Sequence, residues 1–270
     1  MESGMDTQMD RDTLHALLAW QFELGVDEAI GDVPVNSYDL PAEAPWRARA
    51  APPPALPQGR PAVFEPPAPA DPVAQARAAV ARVGDLTGLR AAMQGFDGCE
   101  LKKGARNAVF ADGVPGARVM VIGEPPDREE DIVGKPFVGR AGQLLDRMFD
   151  AIGLARAAPT ERAIYITNVM PWRPPENRDP QPDEIAMMMP FVEAHVALAQ
   201  PEILILMGNI SCQAVLGRKG ITRLRGQWAQ ALGLPVLPMF HPAYLLRNPA
   251  AKREAWADLL MLQARLRGGA

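Results

Sequence analysis

Glu124, Glu130, Phe137, Asn168 and His241 are side chains that could together break a bond in a bound ligand. An imidazole can meet negative charge as it develops on a leaving group. A side-chain amide offers a donor and an acceptor side by side, so it can read a polar edge. An aromatic face can stack on a flat ligand. A carboxylate can orient a water or balance positive charge. Glu124 lies in Gly123-Glu124-Pro125-Pro126, and Phe137 lies in the run Gly134-Lys135-Pro136-Phe137-Val138-Gly139-Arg140-Ala141-Gly142. His241 opens His241-Pro242-Ala243-Tyr244-Leu245-Leu246-Arg247, and Asn168 follows Ala163-Ile164-Tyr165-Ile166-Thr167. Each residue also has a plainer reading: a turn Asn, a core aromatic, a packed His, a solvated acidic loop.

The elements that must position these residues follow from periodicity. Short apolar runs at Arg118–Ile122, Ala163–Thr167, Ile203–Met207 and Pro235–Phe240 read as strands. Helical spacing marks Val73–Val83, Leu86–Met93, Gly142–Ile152, Pro182–Ala199, Ile210–Leu216 and Ala250–Leu266. Strands alternating with helices predict an α/β fold: a three-layer α/β/α sandwich on a mainly parallel four-stranded sheet. Gly123, Asn168 and His241 then stand at the carboxyl ends of strands, where such sheets bind ligands. Upstream, Asp12–Leu24 reads as an amphipathic helix, with Leu14, Leu17, Leu18 and Phe22 at helical spacing. A stretch rich in Pro and Ala separates it from the rest. The expected organisation is an N-terminal helix segment (residues 1–32), a linker (33–72) and a main domain (73–270).

The chain has 270 residues, 48% of them hydrophobic, which is ample for a core. It has no apolar run of about eighteen residues or more, so no membrane span is expected. The start of the chain, acidic and polar, is unlike a secretory signal. Two cysteines, Cys99 and Cys212, exclude a disulfide framework and suit a reducing, cytoplasmic setting. The net charge of -4 is unevenly spread: residues 1–76 carry -8, and residues 201–270 carry +6. A basic C-terminal third is the polarity that phosphate contact requires. Arg223 and Arg225, just before Gly226-Gln227-Trp228, and Arg247, which closes the His241 motif, are the candidate phosphate contacts.

Together, the Gly123 and His241 motifs resemble the two active-site motifs of the uracil-DNA glycosylase superfamily, specifically its family 4. The likeness runs from about Cys99 to about Leu266. It implies hydrolysis of the bond between uracil and deoxyribose in DNA, the first step of base excision repair. It also implies roles. His241 stabilises the leaving uracil anion, and Glu124 and Glu130 are acidic catalytic residues. Asn168 reads the uracil edge, Phe137 stacks on the flipped base, and Gly123 belongs to the substrate site. Where the family pattern has Ala or Gly and then Gly, this chain has Pro125 and Asp127. Pro125 removes a backbone N–H, and Asp127 adds a Cβ and a charge.

Family 4 members carry a 4Fe–4S cluster on four cysteines. Here only Cys99 matches a ligand, and Phe96, Trp172 and Met188 stand at the other positions. A cluster held by four thiolates cannot form on two cysteines, so the expectation is no metal and no cofactor. The three replacements are large and apolar, as if a cluster cavity were refilled by packing. The leading reading is a monomeric uracil-DNA glycosylase. The alternatives are a weakly catalytic or non-catalytic protein that binds uracil or damaged DNA, and an interaction subunit of a repair or replication complex. In the last case the N-terminal helix would dock on a protein partner.

Overall fold

A computed structural model describes residues 11–24 and 71–268. The chain divides into two units, Met1–Phe64 and Glu65–Ala270. In the first, helix α1 spans Arg11–Glu23, close to the expected span, and its side chains from Asp12 onward are exposed. The expected linker lies outside the described residues except for its last two positions. These already belong to the second unit: Asp71 caps helix α2 (Pro72–Val80) by accepting from the Val73 N–H at 2.9 Å.

The second unit is an α/β fold on a mixed sheet of six strands in the order β1-β3-β2-β4-β6-β5. β1 is Ala111–Gly113, β2 Val119–Gly123, β3 Ile164–Asn168, β4 Ile203–Met207, β5 Ala229–Ala231 and β6 Leu234–Met239. The four expected strands are present, side by side and parallel: β2 pairs with β3 and β4, and β4 with β6. The four-stranded expectation is nevertheless corrected. β1 and β5 add an antiparallel strand at each edge. Both are only three residues long and lack a continuous apolar run, so periodicity gives no signal for them.

Every residue of β2, β3 and β4 is buried. Successive side chains point to opposite faces, so both faces of the central sheet are covered. The remaining helices are α3 (Leu86–Gly95), α4 (Leu101–Gly104), α5 (Arg128–Val133), α6 (Gly139–Asp150), α7 (Pro182–Ala199), α8 (Asn209–Leu216), α9 (Ile221–Leu224), α10 (Pro242–Arg247) and α11 (Lys252–Leu266). One helix group joins α2, α3 and α7, and another joins α6, α10 and α11. α6 shows how the sequence dictates this: Leu144, Leu145, Met148 and Phe149 recur at helical spacing and are the side chains it buries.

Candidate active site

The carboxyl ends of the four parallel strands each deliver a residue to one cleft of about 300 Å³. β3 ends at Asn168, β2 leads into Glu124, β4 into Gly208 and Asn209, and β6 into His241. Phe137, Glu130, Asp127, Tyr244 and Arg247 complete much of the wall. The motifs separated in sequence are thus brought together by the parallel order of the strands.

Asn168 is the most informative side chain. It is buried, 6% exposed, yet among the described residues neither its Oδ1 nor its Nδ2 has a hydrogen-bond partner. Leaving a buried amide unpaired costs about 1–3 kcal/mol for each lost partner. Such a group inside a cleft is poised for a ligand that supplies an acceptor and a donor together. Gly123 stands beside Asn168 in the sheet register. A Cβ at Gly123 would lie 2.5 Å from the Phe137 ring and 2.6 Å from Asn168 Oδ1. Only glycine leaves room there for both side chains.

Phe137 is 2% exposed and its ring stacks on that of His241, with centroids 5.2 Å apart and planes 28° apart. Its φ of 51° is in the left-handed region, a conformation that costs a non-glycine residue about 1–2 kcal/mol. That backbone is held by Glu130, whose Oε1 accepts from the Phe137 N–H at 2.5 Å. The other oxygen accepts from the Asp127 N–H at 3.0 Å, and Asp127 in turn accepts from the Glu130 N–H. This reciprocal pair is a capping box that starts α5. Each oxygen of the carboxylate expected to act on the substrate thus accepts a backbone N–H of the chain itself. Burial raises the Glu130 carboxyl to about 7, against the pull of those two donors. Asp127, which adds a charge relative to the family pattern, turns out to be the cap of this helix.

Glu124 accepts from the Ile210 N–H at 3.1 Å, at the first turn of α8. Burial raises its carboxyl above the ordinary range, and backbone N–H groups of Ile210 and Asn209 oppose the rise. Gly208, with a φ of 103°, makes this approach feasible, since a Cβ there would overlap the Glu124 carboxylate. Asn209 escaped the sequence reading, although it stands just beyond the apolar run of β4, much as Asn168 stands just beyond the run Ala163–Thr167. Its Oδ1 accepts from the N–H groups of Gly220 and Ile221, tying the basic loop to the cleft.

His241 caps α10: its Nδ1 accepts from the Ala243 N–H at 3.2 Å. An accepting Nδ1 carries no proton, so in the neutral ring the proton sits on Nε2. Burial, then the Arg247 charge, lowers the imidazole to about 4, so it is neutral at physiological pH.

The three candidate DNA contacts divide. Arg247 is exposed on the cleft wall and Arg223 is exposed on α9. Arg225 is not available in the same way. Its Nε donates to Asp258 Oδ2 at 2.8 Å, its Nη2 to Asp258 Oδ1 and the Glu254 carbonyl, and the Asp258 side chain is fully buried. A guanidinium that neutralises a buried carboxylate anchors the loop to α11.

The sequence pattern of the uracil DNA glycosylase superfamily matches residues 110–260, which hold the whole cleft from Glu124 to Arg247. The chain belongs to that superfamily. Within it, the chain is similar to type-4 members. It is 36% identical over 165 residues to the type-4 uracil-DNA glycosylase of Sulfurisphaera tokodaii, covering 57% of this chain and 73% of the relative. Against the type-4 uracil-DNA glycosylase of Pyrobaculum aerophilum it is 33% identical, covering 66% of this chain and 92% of the relative. Against that of Thermotoga maritima it is 39% identical, covering 56% and 77%. The family's usual iron-sulfur cluster does not fit the residues at its ligand positions. Phe96, Trp172 and Met188 are 5%, 2% and 1% exposed and form part of the apolar core, as does the free thiol Cys99. Phe96 packs edge-on against Phe191, with ring centroids 5.3 Å apart.

Proposed function

We propose that this protein is a uracil-DNA glycosylase, a hydrolase that releases uracil from DNA to begin base excision repair. The buried amide of Asn168, unpaired among the described residues and lining a cleft built from four strand ends, carries the reading. A uracil rotated out of the duplex enters the cleft and stacks on Phe137. Asn168 donates from Nδ2 to O4 and accepts the N3–H on Oδ1. The bond from the sugar C1′ to uracil N1 breaks with its electron pair left on the base. Neutral His241, with its proton on Nε2, donates a hydrogen bond to that anion without itself being a cation. Glu124 balances positive charge on the sugar and orients the water whose oxygen adds to C1′. Water thus supplies the hydroxyl of the abasic sugar, and its proton balances the base anion. Glu130 serves as a positioning residue through Phe137 rather than by touching the base. Phosphate contact is assigned to Arg247 and Arg223, with Arg225 supporting the loop that carries Arg223.

The scaffold is read as three layers, helices on either side of the sheet. Residues 73–270 are the catalytic domain. α1 is a docking helix for a protein partner, and the enzyme is monomeric and cytoplasmic. Among the described residues no helix is long and apolar enough to cross a membrane. The enzyme is further proposed to work without iron, and metal analysis of the purified protein tests that directly. About four irons per chain would overturn it.

An oligonucleotide carrying one deoxyuridine tests the activity. Free uracil and an alkali-labile abasic strand are expected. Tight binding of that DNA without uracil release would replace the enzyme by a binding protein.

A further inference from the structure

The ring of Phe137 can stack on a base only if a left-handed backbone is kept from relaxing. Glu130 holds the N–H side of that residue. The carbonyl side is held by Arg156, a residue outside both motifs that does not line the cleft. Its Nη2 donates to the Phe137 carbonyl at 2.5 Å, and its Nη1 to the Pro136 carbonyl at 2.8 Å. The guanidinium is in turn fixed by two carboxylates. Nε donates to Asp146 Oδ1 of α6 at 2.7 Å, and Nη1 to Asp112 Oδ2 of β1 at 3.1 Å. The Arg156 side chain is 15% exposed, so these contacts are largely shielded from water. Lys135 approaches the other oxygen of Asp112 at 3.2 Å, which ties the same loop to the same strand. Gly142 leaves space for the arrangement, since a Cβ there would overlap the Phe137 carbonyl.

We propose that Arg156 is a positioning residue for base release: it clamps the Pro136 and Phe137 carbonyls to β1 and α6 and, opposite Glu130, sets where the Phe137 ring stands against His241. The proposal rests on the glycosylase reading of the cleft. A planar fork with several donors can serve two carbonyls and two carboxylates at once, which the point charge of a lysine cannot. The edge strand β1 acquires a purpose on this account. It is too short to add much to the core, but it presents Asp112 to the clamp.

A double-mutant cycle on the full chain tests the inference. Arg156→Gln is expected to slow single-turnover uracil release about ten- to a hundredfold, the range for a misplaced pocket group. In a Phe137→Ala background the same substitution should change the rate less than about twofold, because the ring it positions is gone. Arg156→Lys should fall between Arg156→Gln and wild type. Amide exchange provides a readout independent of activity: the Phe137 N–H should exchange at least about tenfold faster in Arg156→Gln, with the β2 amides unchanged. An equal rate loss in both backgrounds, or unaltered exchange at Phe137, would overturn the clamp and leave Arg156 as packing support. Should Arg156→Gln not fold, Asp146→Asn removes one anchor and should give the same pattern at smaller amplitude; additivity there also overturns the proposal. A wild-type protein that releases no uracil would refute the glycosylase reading, while the exchange result would still decide whether Arg156 holds Phe137.

Discussion

His195 and His241 are both held neutral by burial, each with its imidazole lowered to about 4. They sit in regions that differ: His195 lies in the core, whereas His241 is partly exposed at the cleft. On α7, His195 is 1% exposed, its Nε2 is 2.9 Å from the Tyr165 hydroxyl, and its ring stacks on Phe110 with centroids 4.6 Å apart. Thr167 stands 3.5 Å from its Nδ1 and donates to the Phe110 carbonyl. At the end of β6, His241 uses Nδ1 for its helix cap, and among the described residues Nε2 has no hydrogen-bond partner. The same contrast runs along β3, where Thr167 is satisfied and Asn168, the next residue, is not. A depressed pKa therefore marks burial and says nothing of catalysis. An unspent polar atom at the carboxyl edge of the sheet is what marks the site.

The largest expected effect is that of His241→Ala. On the proposed reading it removes a donor that meets charge present only as the bond breaks, so single-turnover uracil release should fall roughly a hundred- to a thousandfold. Affinity for uracil DNA should change little, because the same reading assigns binding to the arginines and to stacking. A filter-binding titration alongside separates the two effects. Weakened binding with an unchanged rate would erase the contrast with His195. Next comes Asn168→Asp, which replaces a donor by a charge that uracil O4 cannot match. Release should fall by about two orders of magnitude, from a lost pairing and an unpaired buried charge. A rate near wild type would make Asn168 a turn residue. In the core, His195→Phe should leave the rate within about twofold while costing about 1–3 kcal/mol in chemical denaturation, since the Tyr165 hydroxyl loses its buried partner. A large rate loss there would mean that the core network reaches the cleft.

Much of this was legible in the chain. The parallel strands were, because buried strands are continuous apolar runs. The placement of His241, Asn168 and Phe137 at one cleft was, because the first two stand at the ends of such runs and the third sits in a loop bounded by Gly and Pro. The edge strands were not, since three residues carry no period. Glu130 was legible as an acidic residue of the motif but not as a backbone clamp, because what a carboxylate accepts from depends on where the loop folds back. The Asp127–Glu130 spacing does contain the capping-box pattern and would have revealed half of that role. Arg225 looked like its basic neighbours. Only the partner, Asp258 on a helix 33 residues later in sequence, makes it an anchor. Arg156 belongs to neither motif, and nothing local announces the two carbonyls it holds.

The smallest effect separates the two histidines by pH. Both titrate below the ordinary histidine value in the folded protein, so below about 6.5 the unfolded chain takes up protons that the native state refuses. The stability they contribute is thus present above about 6.5 and lost as pH falls toward 4. Glu130 works in the opposite sense: its raised carboxyl contributes stability at low pH that is lost as pH rises through about 7. That contribution is common to wild type and a histidine variant, so it cancels in their difference. The stability gap between wild type and His195→Phe, measured by denaturant melts, should therefore shrink by about 1–2 kcal/mol between pH 7 and pH 5. His241→Ala should show a gap that narrows in the same direction, because its burial does the same to the proton equilibrium. Uracil release should distinguish them, falling steeply in His241→Ala at both pH values and staying near wild type in His195→Phe. A gap that stays constant with pH for both variants would mean that neither ring is held neutral by burial, and the comparison of the two sites would have to rest on the unpaired atoms alone.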